Sequence, residues 1–287
     1  MQKYAVIDIG SNSVRLMLVA NGKVLYKRLN TTRLGENLAK TGRLQIDAIE
    51  RTALAVCAFA VQAQQDGAEQ VLAFATASVR SAKNGVDFVS RVKELGDIDV
   101  EVVSGETEAE IGVLGALGSH DGALIDIGGA STELVVKISG DYVYKKSVDV
   151  GVVRLKDSCL DDSSLVSFCQ NAVSLFGRVP TLTNVYAVGG TATTLVSLAL
   201  GLQEYDSKKI TGAILTQSSL LALIERLQKM SIEEIALLPC MPKGRADVIK
   251  NGAVWLYTLM QSFAIREICV SDRDNLEGYA LKKGLMV

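Results

Sequence analysis

Two short stretches of this chain place an aspartate just ahead of a glycine-led turn: Asp8-Ile9-Gly10-Ser11-Asn12-Ser13 and Asp126-Ile127-Gly128-Gly129-Ala130-Ser131. A turn of glycine and small polar residues between antiparallel strands exposes successive backbone N–H groups, and such nests bind phosphate oxygens. An aspartate at the strand end beside a phosphate site suits Mg²⁺, held directly or through water, because that ion takes carboxylate and phosphate oxygens together. A third stretch, Gly189-Gly190-Thr191, opens a predicted helix, where free N–H groups and the helix dipole favour an anion. One Asp-x-Gly turn would say little, since hairpins use it routinely. Two related copies and a glycine-rich helix start together point to a cleft for a nucleotide or phosphate chain. His120 is the sole histidine. It excludes a multi-histidine zinc site and leaves acid–base chemistry to carboxylates.

The elements that must position these residues can be read from the hydrophobic pattern. Apolar runs at 4–7, 14–20 and 24–29 predict a three-strand meander, its second turn marked by Asn21-Gly22. Helical spacing follows over 46–66, then a strand at 71–75, a helix from about Ser78, a strand at 100–103 and a helix over 106–117. The chain then repeats itself: AVIDIGSNSVRLMLV (5–19) and ALIDIGGASTELVVK (123–137) share 7 of 15 positions without gaps. The second copy continues with a hairpin turn at Gly140-Asp141, a helix over 161–176, a strand at 185–188 and a helix from Thr191. Further helices at 216–229 and 245–262, a strand at 268–271 and a last helix from about Asp274 complete it. Internal duplication is the simplest account. We therefore expect an α/β protein of two domains, 1–118 and 119–287, packed across a cleft, with the last helix free to return to the first domain.

Composition narrows the classes. The chain has 287 residues, 48% hydrophobic and 22% charged, with 3 prolines, so it is neither disordered nor a disulfide scaffold. A net charge of −2 gives no basic field for nucleic acid. No apolar stretch is long enough to span a bilayer, and the N-terminus enters a strand pattern at once. Five scattered cysteines fit reduced thiols in the cytoplasm. The apolar helices at 161–176 and 245–262 suit either a buried core or a homodimer face.

The motifs DIGSNSVRL (8–16), ATASVRSAKN (75–84), SGETEAEIG (104–112), DIGGASTEL (126–134), GVVRL (151–155), GGTATTL (189–195) and RADVI (245–249) occur in the order found in one family. Together they resemble the Ppx/GppA family of exopolyphosphatases and guanosine pentaphosphate phosphohydrolases. That family belongs to the actin/Hsp70/sugar-kinase superfamily, so the resemblance implies a duplicated actin-like (RNase H-like) ATPase fold. It implies that Glu108 activates the attacking water, that Arg80 binds the transferring phosphoryl group, and that Asp126 and Glu133 hold Mg²⁺ (or Mn²⁺), with Asp8 a further metal or water contact. Ser11, Asn12, Ser13, Gly128, Gly129, Ser131, Gly189, Gly190 and Thr191 are then expected to grip phosphate. Arg15 joins them if strand alternation turns it to the site. Arg154 fits either the site or its buttress, and Arg245 and Asp247 fit structural roles.

Two positions depart from the family pattern. Ala130 stands where the family's second turn usually has a third glycine, a costly change if that position needs positive φ. The family's near-C-terminal Leu-Arg-Glu-Gly reads Asn275-Leu276-Glu277-Gly278 here, without the arginine. The expected activity is Mg²⁺-dependent release of orthophosphate from the end of inorganic polyphosphate, or alternatively removal of the terminal phosphate of guanosine pentaphosphate (pppGpp). A sugar- or carboxylate-directed kinase would explain the duplicated turns but not SGETEAE or GVVRL. A non-catalytic polyphosphate or nucleotide sensor would be consistent with the two departures.

Overall fold

Strand β1 (Lys3–Ile9) pairs antiparallel with β2 (Val14–Ala20), and β2 with β3 (Lys23–Asn30). Asn21 and Gly22, which join β2 to β3, have φ of 50° and 73°. That is the left-handed pair a two-residue hairpin needs to match strand twist. After α1 (Leu38–Thr41) and α2 (Ile46–Gln65), β4 (Gln70–Ala75) runs parallel to β1. After α3 (Ala77–Ser81) and α4 (Gly85–Gly96), β5 (Val100–Val102) runs parallel to β4, and α5 (Gly105–Ala116) follows. These observations come from a computed structural model that describes residues 2–286.

Alternation along β1 sorts its side chains onto two faces. Ala5, Ile7 and Ile9 pack with Ile49, Val56, Phe88 and Val92 from α2 and α4. Val6 packs with Met17, Val19, Phe74 and Ile111 on the other face. Asp8 shares the face of Val6, and Arg15 that of Met17, so the α5 side of this sheet carries the charged groups.

The next strands repeat the plan. β6 (Gly122–Ile127), β7 (Thr132–Ile138) and β8 (Asp141–Val148) form an antiparallel meander. The chain continues through α6 (Val152–Ser158), α7 (Asp162–Ala172), β9 (Val185–Val188) and α8 (Gly189–Ala199). Then come α9 (Ser207–Ile210), β10 (Ala213–Thr216), α10 (Gln217–Gln228), α11 (Ile232–Ala236), α12 (Ala246–Ser262) and β11 (Glu267–Val270). The first sheet has order β3-β2-β1-β4-β5 and the second β10-β11-β9-β6-β7-β8. Read from its other edge, the second sheet is the first with one antiparallel strand, β10, added. The duplication extends to detail: the ladder slips between Leu18 and Val19 in one copy and between Val136 and Lys137, the aligned positions, in the other. The second hairpin turns at Ser139-Gly140 (φ 54° and 85°), one residue before the expected Gly140-Asp141, because it keeps the register of Asn21-Gly22.

By contacts the chain divides into Met1–Gly115 with Asn275–Val287, and Ala116–Asp274. The last helix, α13 (Asn275–Lys282), belongs to the first unit. There Tyr279 stacks on Phe74 with ring centroids 4.4 Å apart. A Cβ on Gly278 would lie 1.6 Å from the carbonyl oxygen of Ile111 in α5, so only glycine allows this approach.

The single helix predicted from Ser78 is two, α3 and α4. A Cβ at Gly85, the start of α4, would meet the carbonyl of Val79 at 2.1 Å, so the break is a tight backbone contact. The helix expected over 161–176 begins at an Asp161–Ser164 capping box and ends at Ala172, with a 3-10 turn to Phe176. Helices α1, α6, α9 and α11 and strand β10 lie in stretches too short to show a period.

Candidate active site

In the first unit, β1 ends at Asp8-Ile9 and delivers the chain into the turn Gly10–Ser13. The Gly35 N–H donates to Ser11 O (2.8 Å), and those of Thr32 and Arg33 to Asn12 O (3.1 and 2.9 Å). A trans peptide points its C=O and the next N–H in opposite directions. With these carbonyls tied to 32–35, the N–H groups of Asn12 and Ser13 face away from that loop. The Asn12 Oδ1 is buried without a hydrogen-bond partner among the described residues. A Cβ on Gly35 would approach Ser11 Cβ to 2.9 Å, so the clamp on the turn needs glycine there.

The register places Asp8 opposite Arg15. Alternation therefore turns Arg15 toward the site face, and its Nε and Nη2 both donate to Asp8 Oδ2, the former at 3.1 Å.

Glu108 lies in the first turn of α5, where Glu108 N–H donates to Ser104 O (2.9 Å) and Thr107 N–H to Ser104 Oγ (3.1 Å). Its neighbours Glu106 and Glu110 are exposed and half-buried, but Glu108 is only 6% exposed. Arg80, at the end of α3, donates through Nη1 to Glu108 Oε2 and to the carbonyl of Val103, both at 2.9 Å. Thr76 also donates its hydroxyl to this carboxylate instead of capping α3. Burial raises the Glu108 pKa and outweighs the lowering by the Arg80 charge and the Arg80 and Thr76 hydrogen bonds; the negative charge of Asp8 adds to the rise. A buried carboxylate of raised basicity beside a guanidinium is suited to take a proton from water while the arginine pairs with phosphoryl oxygens.

The second unit repeats this geometry with different groups. Val152 and Val153, in the first turn of α6, donate to Gly128 O (3.0 Å) and Gly129 O (2.8 Å), leaving the N–H groups of Gly129 and Ala130 turned away from that helix. A Cβ on Gly151 would lie 2.5 Å from the Gly129 carbonyl, so the GVVRL motif holds the turn at close quarters. Ala130 is not among the residues of positive φ and is buried, so it is unstrained. Gly10, Gly128 and Gly129 also lie outside the left-handed region. The tied carbonyls, not left-handed backbone, orient these turns.

Asp126 pairs in register with Glu133, and both are buried, at 7% and 2% exposure. Ser147 on β8 donates to Glu133 Oε1 (2.6 Å). Helix α8 starts against Asp126. Gly189 has φ of 78°, and a Cβ there would meet Asp126 Oδ1 at 2.6 Å. Thr191 spends its hydroxyl on Ile127 O (2.9 Å), and the Arg245 guanidinium lies on Gly190, donating to its carbonyl (2.6 Å) and to Thr194 Oγ1 (3.0 Å). These two loop residues thus fix the α8 start, and Arg245 is a buttress. Arg154 pairs with Asp149 (3.4 Å) and Asp247 with Lys156.

Asp126 and Glu133 can hold one Mg²⁺ (or Mn²⁺), because that ion is commonly bound by one or two carboxylates with phosphate and water completing its shell. No group of three or more His, Cys, Asp or Glu side chains forms a protein cage among the described residues. Sequence reasoning missed Thr76 and Ser147 as partners of Glu108 and Glu133. Thr76 lies inside a quoted motif, whereas Ser147 is reached only through the β7–β8 register.

A model of the Ppx/GppA phosphatase family matches residues 16–286. Exopolyphosphatase 2 of Mycobacterium tuberculosis is 32% identical over a 314-position alignment that covers 98% of this chain and 98% of that protein. Guanosine-5'-triphosphate,3'-diphosphate pyrophosphatase of Vibrio cholerae is 28% identical over 99% of this chain, which spans 58% of that longer protein. The crystal structure of the Aquifex aeolicus member of the family aligns at a TM-score of 0.79 and 28% identity, covering 99% of this chain and 98% of that one. The duplicated fold and the buried acid beside an arginine are those of a phosphatase that hydrolyses phosphoanhydride bonds. The chain belongs to the Ppx/GppA phosphatase family.

Proposed function

We propose that this protein is an exopolyphosphatase, releasing orthophosphate from the end of inorganic polyphosphate. The observation that carries the reading is the Glu108 carboxylate, buried in the first turn of α5 and held by Arg80. Glu108 takes a proton from water as the water oxygen bonds to the terminal phosphorus and the bridging P–O bond breaks. Orthophosphate departs and the chain shortens by one unit. Arg80 pairs with the transferring phosphoryl oxygens, and the turns at 10–13 and 128–131 offer backbone N–H groups to the phosphates. Mg²⁺ (or Mn²⁺) held by Asp126 and Glu133 would supply positive charge against phosphate oxygens. The 32% identity to exopolyphosphatase 2 across both full lengths favours polyphosphate. Guanosine pentaphosphate is the alternative substrate, supported by the Vibrio cholerae relative.

No helix among the described residues is long and apolar enough to cross a membrane, and all five cysteines are free thiols. Both fit work in the cytoplasm. The test is orthophosphate release with Mg²⁺ from medium-chain polyphosphate, pppGpp and ATP in parallel, with Glu108→Gln as control. Release from polyphosphate above the others, lost in the variant, supports the reading. Preference for pppGpp replaces the substrate. Tight binding without release from any of them makes the protein a sensor.

A further inference from the structure

The duplication gives the two copies of the metal-facing position opposite chemistry. Asp8 and Asp126 align, and so do the residues directly across the ladder from them, Arg15 and Glu133. In the second copy two buried carboxylates face each other, an arrangement that like-charge repulsion disfavours unless a cation joins them. In the first copy the guanidinium of Arg15 already sits on Asp8 through two nitrogens.

We infer that Arg15 is a built-in cation occupying the place of a second metal ion, so that the protein binds one divalent ion per chain, at Asp126 and Glu133, and Asp8 is not a metal ligand. This rests on the reading of Asp126 and Glu133 as the metal pair. The first unit follows the same geometry to a different end. An arginine is always charged, needs no uptake from solution and cannot dissociate. Asp8 is therefore neutralised whether or not metal is present, and its effect on nearby Glu108 stays constant while the second site fills and empties.

The test counts bound Mn²⁺ by the loss of the free-ion paramagnetic resonance signal, on wild-type protein and on the variants R15E and E133Q, without substrate. One ion on the wild type, none on E133Q and two on R15E is the expected result. R15E recreates the acid pair of the second copy in the first. If R15E does not fold alone, circular dichroism should show it folding when Mn²⁺ is added, as metal-coupled folding requires. R15E that still binds one ion, or stays unfolded with Mn²⁺, overturns the inference. Two ions on the wild type overturn it too, yet leave the Asp126–Glu133 site standing. No ion on the wild type overturns the metal pair itself and the inference with it.

Discussion

Arg80 Nη1 stands 2.9 Å from Glu108 Oε2 and 2.9 Å from the carbonyl oxygen of Val103, so one guanidinium nitrogen fixes both the acid and the strand end before it. Arg80 therefore has two tasks, orienting the base and receiving a phosphoryl group, and its charge lowers the Glu108 pKa against the rise from burial. Arg80→Ala should cut kcat/KM about 10³-fold or more, on the scale of a lost arginine at a transferring phosphoryl. Because the lowering contribution disappears, the acid limb of the residual rate should move to higher pH. Arg80→Lys should recover little, as an ammonium cannot span the Val103 carbonyl and Glu108 as the planar fork does. Steady-state kinetics across pH check both statements.

The pH profile of the wild type follows from the same carboxylate. Glu108 must be ionised to accept a proton from water, and burial raises its pKa above the ordinary 4.5. Activity should rise with pH through that raised value, later than an exposed glutamate would require. Thr76→Val removes a hydrogen bond to the ionised form and should push the limb further up, and Thr76→Ser should restore it. A merely structural Thr76 would lower the rate without moving the limb.

Stability should run opposite to activity at this position. The folded chain binds the Glu108 proton more tightly than the unfolded chain, so the stabilisation is fully present below the ordinary carboxylate range and is lost as pH rises through the raised folded value. At neutral pH the buried charge is a cost, and Glu108→Gln removes it. The variant should melt above the wild type at pH 7, each 1 kcal/mol showing as roughly 2–4 °C. The difference should vanish below about pH 4.5. Activity of the variant should fall at least about a hundredfold, with binding retained.

The duplicated motif made the fold legible. Seven identities in fifteen positions align Asp8 with Asp126, and sheet order, hairpin turn and ladder slip then follow in both copies. The seven motifs also put Glu108 and Arg80 forward as a pair, although nothing local says that Glu108 is buried and Glu106 is not. That depends on which side of α5 meets the sheet. The direction of Arg15 needed the β1–β2 register, which sequence leaves one residue uncertain. Ala130 raised a question of backbone strain that only φ could answer. Helices such as α6 escaped notice because two turns carry no period, although the carbonyls of Gly128 and Gly129 depend on that one. The Gly278 contact was invisible, since it joins α13 to α5 across most of the chain's length.

The Ala130 question becomes a prediction with a definite sign. Its backbone is not left-handed and its side chain is buried, so restoring the family's glycine relieves no strain. Ala130→Gly should leave phosphate release within about twofold of wild type and lower stability by about 0.5–1 kcal/mol through added freedom of the unfolded chain. Urea titration beside the release assay measures both. A large gain in activity would mean that the alanine methyl obstructs substrate.

Gly278 offers the sharpest test of how α5 is held. A methyl there would sit 1.6 Å from Ile111 O and press on the Gly115 N–H at 3.0 Å, so α13 and α5 must part by more than an ångström. Both helices pack into the cluster of Val6, Met17, Phe74, Leu276 and Tyr279, and Glu277 beside the contact binds Lys27 of β3 at 2.6 Å. Nothing at the contact is a flexible side chain that can turn aside; it is backbone against backbone. Gly278→Ala should therefore cost about 3 kcal/mol or more, at the upper end of overpacking. Because α5 carries Glu108, the rate should also drop well below the melting temperature, where the chain is still folded. Circular dichroism and phosphate release over the same temperature range separate the two effects. Unchanged turnover in a folded, destabilised variant would show that Glu108 is positioned by Arg80 and Thr76 alone.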